Sequence, residues 1–195
     1  IGGITNLTFI DNEKISSFDS GPGNFLIDKF IQFKTQNKIQ YDDEGKIALS
    51  GHVDKNILSS YLDDPYFLIK PPKSLDVNDF NLSPIRSLNL ENGLATLSEL
   101  TVITISNALN FFNKVPKKII LSGGGRKNKY LFNQINNITQ ISTSTIDEYK
   151  INGDFVESQA FAYLAIRSFL KKPISFPETT GVKNPSTGGN LIKIR

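Results

Sequence analysis

The chain has 195 residues and contains no cysteine, no methionine and no tryptophan. The absence of cysteine excludes disulfides and thiolate metal sites. No apolar run approaches the roughly 20 residues of a membrane-spanning helix, and no signal-peptide pattern is present, so we expect a cytoplasmic protein with no membrane partner. The single histidine, His52, follows Gly51 in a polar stretch, and we assign it no catalytic role.

Charge is also nearly balanced, with 22 basic and 19 acidic residues and a formal net charge of +3. The basic residues form no stripe interleaved with aromatics, so nothing in the sequence calls for a nucleic-acid partner. The length and the 38% apolar fraction indicate one globular domain with a real core. Because the chain begins at Ile1 inside a strand pattern and has no methionine, we expect it to be a piece of a longer protein.

Hydrophobic spacing predicts a hairpin followed by alternating strands and helices. This order predicts the α/β class, with a mixed β-sheet and flanking helices. The hairpin turn is expected at Asp11-Asn12-Glu13, and Asn24 is expected to cap the first helix. Predicted strands cover residues 4–10, 14–18, 118–121 and 140–144; predicted helices cover 25–33, 53–62, 95–112, 128–135 and 154–170; residues 34–52, 65–90 and 179–195 are expected to be loop or irregular.

Two glycine-rich turns, about a hundred residues apart, each follow an apolar strand. The first is Gly21-Pro22-Gly23 after the opening Gly2-Gly3, and the second is Gly123-Gly124-Gly125. Glycine lets a backbone approach a ligand closely, and a helix N-terminus beyond it favours anions. The pair therefore predicts a nucleotide with its phosphates at one turn and its nucleoside at the other.

The motifs and their order resemble the C-terminal half of anhydro-N-acetylmuramic acid kinases. The most specific are the Phe-Asp-Ser-Gly-Pro-Gly-Asn run at 18–24 and the Pro-Pro-Lys-Ser run at 71–74. Further matches are Gly-Gly-Ile-Thr-Asn at 2–6, Pro-Tyr-Phe at 65–67, Ala-Thr-Leu-Ser-Glu-Leu-Thr at 95–101, the triple glycine, and Glu-Ser-Gln-Ala-Phe-Ala at 157–162. The resemblance covers nearly the whole chain, to Thr180-Gly181.

This resemblance implies an RNase H-like lobe of the actin-like, sugar-kinase ATPase superfamily. Such kinases use ATP and Mg²⁺ to open the anhydro ring of 1,6-anhydro-N-acetylmuramic acid with water and to phosphorylate O6. The product is N-acetylmuramate 6-phosphate, in cell-wall recycling. The implied partners are the sugar, an N-terminal kinase lobe and a second copy in a homodimer.

Several features of the family pattern are absent from this sequence. The family's N-terminal phosphate loop and its general-base aspartate lie upstream of the Gly-Gly-Ile turn, so residues 1–195 are expected to be the nucleotide-binding lobe and inactive alone. After Ser74 the chain continues Leu75-Asp76-Val77-Asn78, where the family usually has Thr-Gly-Arg-Glu. One alternative is a non-catalytic nucleotide-binding or scaffolding remnant of a split kinase. Another is a different sugar or carboxylate kinase, against which the Pro-Pro-Lys-Ser run argues.

The resemblance also assigns residues to the phosphates and the metal. Gly2, Gly3 and Asn6 would form a phosphate-binding hairpin, and the alternative is an ordinary hairpin turn. Asp19 would hold Mg²⁺ through water, and its alternative is an Asx-turn within its own loop. The cofactor-binding set is completed by Gly21, Gly23, Asn24, Gly123, Gly124, Gly125 and Asn128.

Asn128, Glu157 and Lys73 each have two competing interpretations. Asn128 lies near the expected adenosine but suits an N-cap as well. Glu157 corresponds to a family glutamate at the sugar site, whereas Asp154-Phe155-Val156-Glu157 also has the pattern of a capping box. Lys73 is either a phosphate contact or a solvated loop lysine. No general base is expected in this chain.

Overall fold

The computed structural model describes residues 1–12 and 14–192. The strands are β1 (Ile4–Asp11), β2 (Lys14–Pro22), β3 (Ile119–Leu121) and β4 (Thr143–Thr145). The helices are α1 (Asn24–Thr35), α2 (Lys46–Leu49), α3 (Lys55–Leu62), α4 (Leu90–Ala108), α5 (Lys129–Thr139), α6 (Val156–Phe169) and α7 (Pro177–Thr180). Among these described residues, no helix is both long and apolar enough to cross a bilayer.

The predicted α/β class is confirmed, but the strands form two small sheets rather than one mixed sheet. β1 and β2 pair antiparallel as the expected hairpin, and β3 and β4 pair in parallel. Residue Glu13 of the predicted turn lies outside the described residues. The two sheets are linked through Ile1, whose amine donates to the Ser122 carbonyl and whose carbonyl accepts from Gly125 N–H.

The core is built around α4. Helices α1, α2, α3 and α5 and strand β2 all pack on it. Its side chains are buried nearly all round, as expected for a central helix rather than a surface one. Threonines add hydrogen bonds inside this core, since Thr101 Oγ1 donates to the Pro22 carbonyl at 3.1 Å. The helix therefore fixes the end of β2, where the first glycine turn lies.

Several predicted element boundaries are wrong for local reasons. The helix α4 begins at Leu90 rather than at residue 95, because Asn89 Oδ1 accepts from Asn92 N–H and caps it there. The predicted loop at 34–52 contains α2, whose start is stabilised because Asp42 accepts from the N–H groups of Ile47 and Ala48. The predicted C-terminal loop contains the end of α7, and its last residues, 193–195, lie outside the described part.

Candidate nucleotide-binding site

The first glycine turn is closed by its own backbone. The N–H groups of Gly23 and Asn24 donate to the carbonyls of Gly3 and Gly2, both at 2.8 Å, and Phe25 N–H donates to Gly3 at 3.2 Å. A side chain at Gly23 would collide with the Gly2 carbonyl oxygen. The amides at the start of α1 are therefore used within the protein. Gly3 itself is exposed, and its N–H makes no hydrogen bond among the described residues.

Asn24 does not cap α1, so that prediction is wrong. Asn24 is the first helical residue, Gly23 holds the N-cap position, and no side chain caps the helix. The glycine turn has replaced the cap by bonding the first amides to carbonyls. This leaves the Asn24 side chain directed at the second glycine turn, where its Nδ2 lies 3.6 Å from the position of a Cβ on Gly124.

The second turn lies close to the first, where Ile1 and Asn24 contact it. Gly123 adopts a left-handed φ of 78°, which favours glycine. A Cβ on Gly123 or Gly125 would meet Ile1, so the missing side chains at these two positions make room for the protein's own chain. Gly124, in contrast, is exposed. Of the predicted residues at the two turns, Gly2, Gly3 and Gly124 are therefore exposed and Asn24 is half-buried.

Gly21 has a packing role of the same kind. It is buried, and a Cβ there would lie 2.8 Å from Thr104 Oγ1 on α4. The buried glycines of both turns thus shape the site rather than line it. The exposed members remain in position to approach a phosphate or a nucleoside.

Asp19 lies in β2, two residues before Gly21, and its carboxylate accepts hydrogen bonds from two sides. Asn6 Nδ2 donates to Oδ1 at 3.0 Å, and Leu75 N–H donates to Oδ2 at 2.9 Å. The alternative interpretation, an Asx-turn within its own loop, is wrong, because the backbone N–H that binds the carboxylate is 56 residues away. Each oxygen keeps a further acceptor site, since an ionised carboxylate has about four.

The Pro-Pro-Lys-Ser loop is assembled around Asp19 despite the unusual residues that follow it. Asp19 N–H donates to the Lys73 carbonyl at 3.1 Å, and Tyr66 Oη donates to the Asp19 carbonyl at 2.7 Å. Burial, followed by the nearby Asp19 charge, raises the pKa of Tyr66, so its hydroxyl stays protonated as a donor. The loop thereby fixes the main chain of Asp19 as well as its carboxylate.

Asn6 is oriented by two hydroxyls. Ser17 Oγ and Thr8 Oγ1 donate to Asn6 Oδ1 at 2.9 and 3.2 Å. With its oxygen occupied, the amide presents its NH₂ group to Asp19. Asn6 therefore acts on the carboxylate in this structure, and its predicted contact with a phosphate stays a prediction.

Lys73 is not the solvated loop lysine that was one of the two interpretations of the sequence. Its Nζ donates to the Tyr66 carbonyl at 3.0 Å and lies above the rings of Tyr66 and Phe111, with centroids at 4.4 and 5.0 Å. The ammonium is thus enclosed by aromatic faces, and burial lowers its pKa. It is therefore not a fully solvated loop lysine, and its contact with a phosphate stays a prediction.

Asn128 is confirmed as the N-cap of α5. Its Oδ1 accepts from Leu131 N–H at 3.1 Å, and the residue is buried. The cap accounts for the choice of asparagine here. Its contact with adenosine stays a prediction.

Asp28 was not identified from the sequence. It lies on α1 one turn after Asn24, and residues four apart share a helix face. Its half-buried carboxylate makes no hydrogen bond or ion pair within the described part of the chain, and burial raises its pKa to about 6. No local pattern singles out Asp28, because only the approach of other elements makes the position partly buried.

Arg126 is a second residue that sequence reasoning missed. Its Nε and Nη2 bind Asp147 at 2.6 Å and Asp154 at 2.9 Å, and its Nη1 donates to the Gly123 carbonyl at 3.0 Å. Only 4% of its side chain is exposed. This guanidinium, together with Gly153 N–H, holds the pKa of Asp147 at about 2. In the sequence Arg126 is only part of a short basic cluster. In the structure its hydrogen bond to the Gly123 carbonyl stabilises the second glycine turn.

The carboxylates around the site are too dispersed to form a metal cage by themselves. No group of three or more histidine, cysteine or acidic residues converges within residues 1–12 and 14–192. Asp19 alone is compatible with Mg²⁺, which usually keeps several waters and takes one or two carboxylates together with substrate phosphates. The donor set fits such a cation and excludes a dedicated protein cage among these residues.

Comparison with known proteins decides the family. The family model for anhydro-N-acetylmuramic acid kinase matches residues 1–193. The chain belongs to the anhydro-N-acetylmuramic acid kinase family. Relatives of that name include those of Zymomonas mobilis, 39% identical over 98% of this chain, and Caulobacter vibrioides, also 39% over 98%. The relative from Pelagibacter ubique is 46% identical over 99% of the chain.

The chain spans about half the length of these kinases. It covers 52% of the Zymomonas protein and 54% of the Pelagibacter protein. The glycine turns and Asp19 are therefore the part of the candidate site that lies within this half of the family's length.

Glu157, which the family resemblance places at the sugar site, is not a capping residue. The N-cap position of α6 is Phe155, no side chain caps the helix, and Asp154 pairs with Arg126 and Lys127 instead. The capping box in this region is formed by Thr145 and Glu148. The structural explanation of Glu157 is therefore wrong, and its role toward the sugar stays a prediction.

Proposed function

We propose that this chain is the ATP-binding, RNase H-like lobe of an anhydro-N-acetylmuramic acid kinase. The observation that carries the proposal is the meeting of the two glycine turns, where Asn24 lies beside Gly124. Asp19 is in the same strand as Gly21, two residues before it. The two turns are far apart in sequence, and a nucleotide that spans them would contact both. Family membership identifies the reaction that such a site would serve.

In this proposal the first turn serves the phosphates and the second serves the adenosine. Gly3 offers an exposed N–H, and neither Gly2 nor Gly3 has a side chain to keep a phosphate away. Asp19, held by Asn6 and Leu75, would accept from the water shell of Mg²⁺. When bound, Mg²⁺ supplies charge neutralisation for the transferring phosphoryl group.

The proposed reaction joins hydrolysis to phosphorylation. Water adds across the anhydro bridge of 1,6-anhydro-N-acetylmuramic acid, and the γ-phosphoryl group of ATP passes to O6, giving N-acetylmuramate 6-phosphate and ADP. This chain's residues contribute binding and orientation, with Glu157 toward the sugar. The water needs a general base within hydrogen-bond reach, and we assign that base to the other half of the kinase.

A chimera tests the proposal directly. Here this chain replaces the matching portion of the Pelagibacter ubique kinase, to which it is 46% identical. We expect the chimera to phosphorylate the anhydro sugar with ATP and Mg²⁺, and the chain alone to be inactive. An Asp19→Asn chimera should lose most activity, whereas Asp11→Asn, on the same hairpin but in a surface pair with Lys114, should keep it.

Two results would count against the proposal. A folded chimera without activity would favour a non-catalytic scaffold that has kept the nucleotide fold. Sugar phosphorylation by the isolated chain would overturn the assignment of the general base to the other half.

A further inference from the structure

Two neighbouring polar side chains on α1 lack a partner within residues 1–12 and 14–192. They are the Asn24 amide, at the start of the helix, and the Asp28 carboxylate, one turn later, and both residues are half-buried. Neither group makes a hydrogen bond in that part of the chain, and Asp28 forms no ion pair there. Because polar groups that are withdrawn from water are normally hydrogen-bonded, two adjacent open groups call for an explanation.

The polar side chains next to this pair are engaged elsewhere. Gln32, the next residue on the same face of α1, donates from Nε2 to the Gln40 carbonyl at 3.1 Å. Lys29, the cation that follows Asp28 in the sequence, has its Nζ 5.1 Å from the centroid of the Phe25 ring. The open groups are therefore confined to the part of α1 that begins at the glycine turns.

Asn24 lies where the two glycine turns meet. Its backbone N–H donates to the Gly2 carbonyl at 2.8 Å, and its Nδ2 is 3.6 Å from the position of a Cβ on Gly124. Residues four apart share a helix face and are separated by about 6 Å along the axis. Asp28 is therefore one helical turn beyond the meeting point of the two turns, on the same side of α1.

The unpaired carboxylate is costly to the folded protein. Burial raises the pKa of Asp28 to about 6. At pH 7.5 the folded chain therefore holds a half-buried, ionised carboxylate with no counter-ion among the described residues. Groups that reduce stability without forming a structural contact are characteristic of binding sites. An ionised carboxylate only accepts hydrogen bonds, so a ligand for Asp28 must present donors.

We propose that Asp28 binds the ribose of the nucleotide, its two oxygens accepting from the 2′- and 3′-hydroxyl groups. The nature of the ligand rests on the proposed function, in which the phosphates lie at the first turn and the nucleoside at the second. The ribose hydroxyls of a nucleotide lie about one helical turn from its innermost phosphate, whereas the amino group of adenine lies farther away. Ribose is therefore the donor-bearing part of ATP that matches the position of Asp28.

Calorimetric titration of the chain at pH 7.5 tests this role with two probes, Mg²⁺-ATP and the Mg²⁺ complex of 2′,3′-dideoxy-ATP, which lacks both hydroxyls. The unmodified chain should prefer ATP by about tenfold or more, as expected for hydrogen bonds to a charged group. In Asp28→Asn this preference should fall to near one, because each change removes the same interaction. The control Asp63→Asn, at an exposed position, should keep the full preference.

The ratio of the two affinities separates this role from a general effect of charge, which would change the binding of both nucleotides alike. A preference that survives in Asp28→Asn, or an unmodified chain that binds both nucleotides equally, overturns the inference and leaves the nucleotide proposal standing. An unmodified chain that binds neither nucleotide contradicts the nucleotide proposal and overturns this inference with it.

Stability provides a second readout, because a structural role and a binding role predict opposite signs. At pH 7.5 Asp28→Asn should raise the urea midpoint of the free chain, since it removes an unpaired charge, while it abolishes the preference for ribose. A lowered midpoint together with a lost preference would assign Asp28 a structural role and would also overturn the inference.

Discussion

The half-buried carboxylate of Asp28 should make the protein less stable at neutral pH than at mildly acidic pH. In the unfolded chain an aspartate ionises near 3.8, whereas burial raises the folded pKa to about 6. The folded state therefore binds the proton more tightly, and stability falls as the pH rises from about 4 through about 6. A rise of about two in pKa corresponds to roughly 3 kcal/mol, and partial contact with water reduces this to about 1–2 kcal/mol.

Substitution Asp28→Asn removes the charge while keeping the shape. At pH 7.5 the variant should be about 1–2 kcal/mol more stable than the unmodified chain, and the difference should vanish near pH 4. Urea unfolding across this pH range measures it. Asp63→Asn, at an exposed position, is the control and should change stability by less than about 0.5 kcal/mol. An Asp28→Asn variant that is no more stable at pH 7.5 would refute the argument.

Three further substitutions test the packing that positions the glycine turns, all by urea unfolding. Gly93→Ala places a methyl group against the buried ring of Phe30 and should cost about 1–3 kcal/mol. Thr101→Val removes the donor to the buried Pro22 carbonyl and should cost about 1–2 kcal/mol. Arg126→Lys loses the forked pairing with its two aspartates and should cost about 1–3 kcal/mol. A change below about 0.5 kcal/mol in any of them would contradict the contact assigned to it.

The position of each glycine turn was predictable because it depends on local signals, whereas the meeting of the two turns depends on which elements pack together. Gly21 and Gly23 lie at the end of β2 and the triple glycine comes after β3, and glycine at the end of a strand lets the backbone approach a ligand. The same signals identified the β1–β2 hairpin and most helices. They did not reveal that a side chain at Gly21 would collide with Thr104, or that one at Gly123 or Gly125 would collide with Ile1. That requires knowing which elements pack together.

The side chains were predicted less well, for the same physical reason. Asn24 and Glu157 have the spacing of capping residues. In the structure, however, the first amides of α1 donate to backbone carbonyls, and Asp154, before α6, pairs with Arg126. The local sequence predicts a surface lysine at position 73, but in the structure its ammonium group lies over the rings of Tyr66 and Phe111. Contacts between residues distant in sequence override these local patterns, and a single sequence does not contain them.

The central claim is that the two glycine turns and Asp19 form a nucleotide site. It is tested most directly by calorimetric titration of this chain with Mg²⁺-ATP, beside an Asp19→Ala variant and an Asp11→Ala control on the same hairpin. We expect binding by the unmodified chain and the control, and binding weakened at least tenfold in Asp19→Ala. Binding that is indifferent to Asp19, or no binding by the unmodified chain, would contradict it.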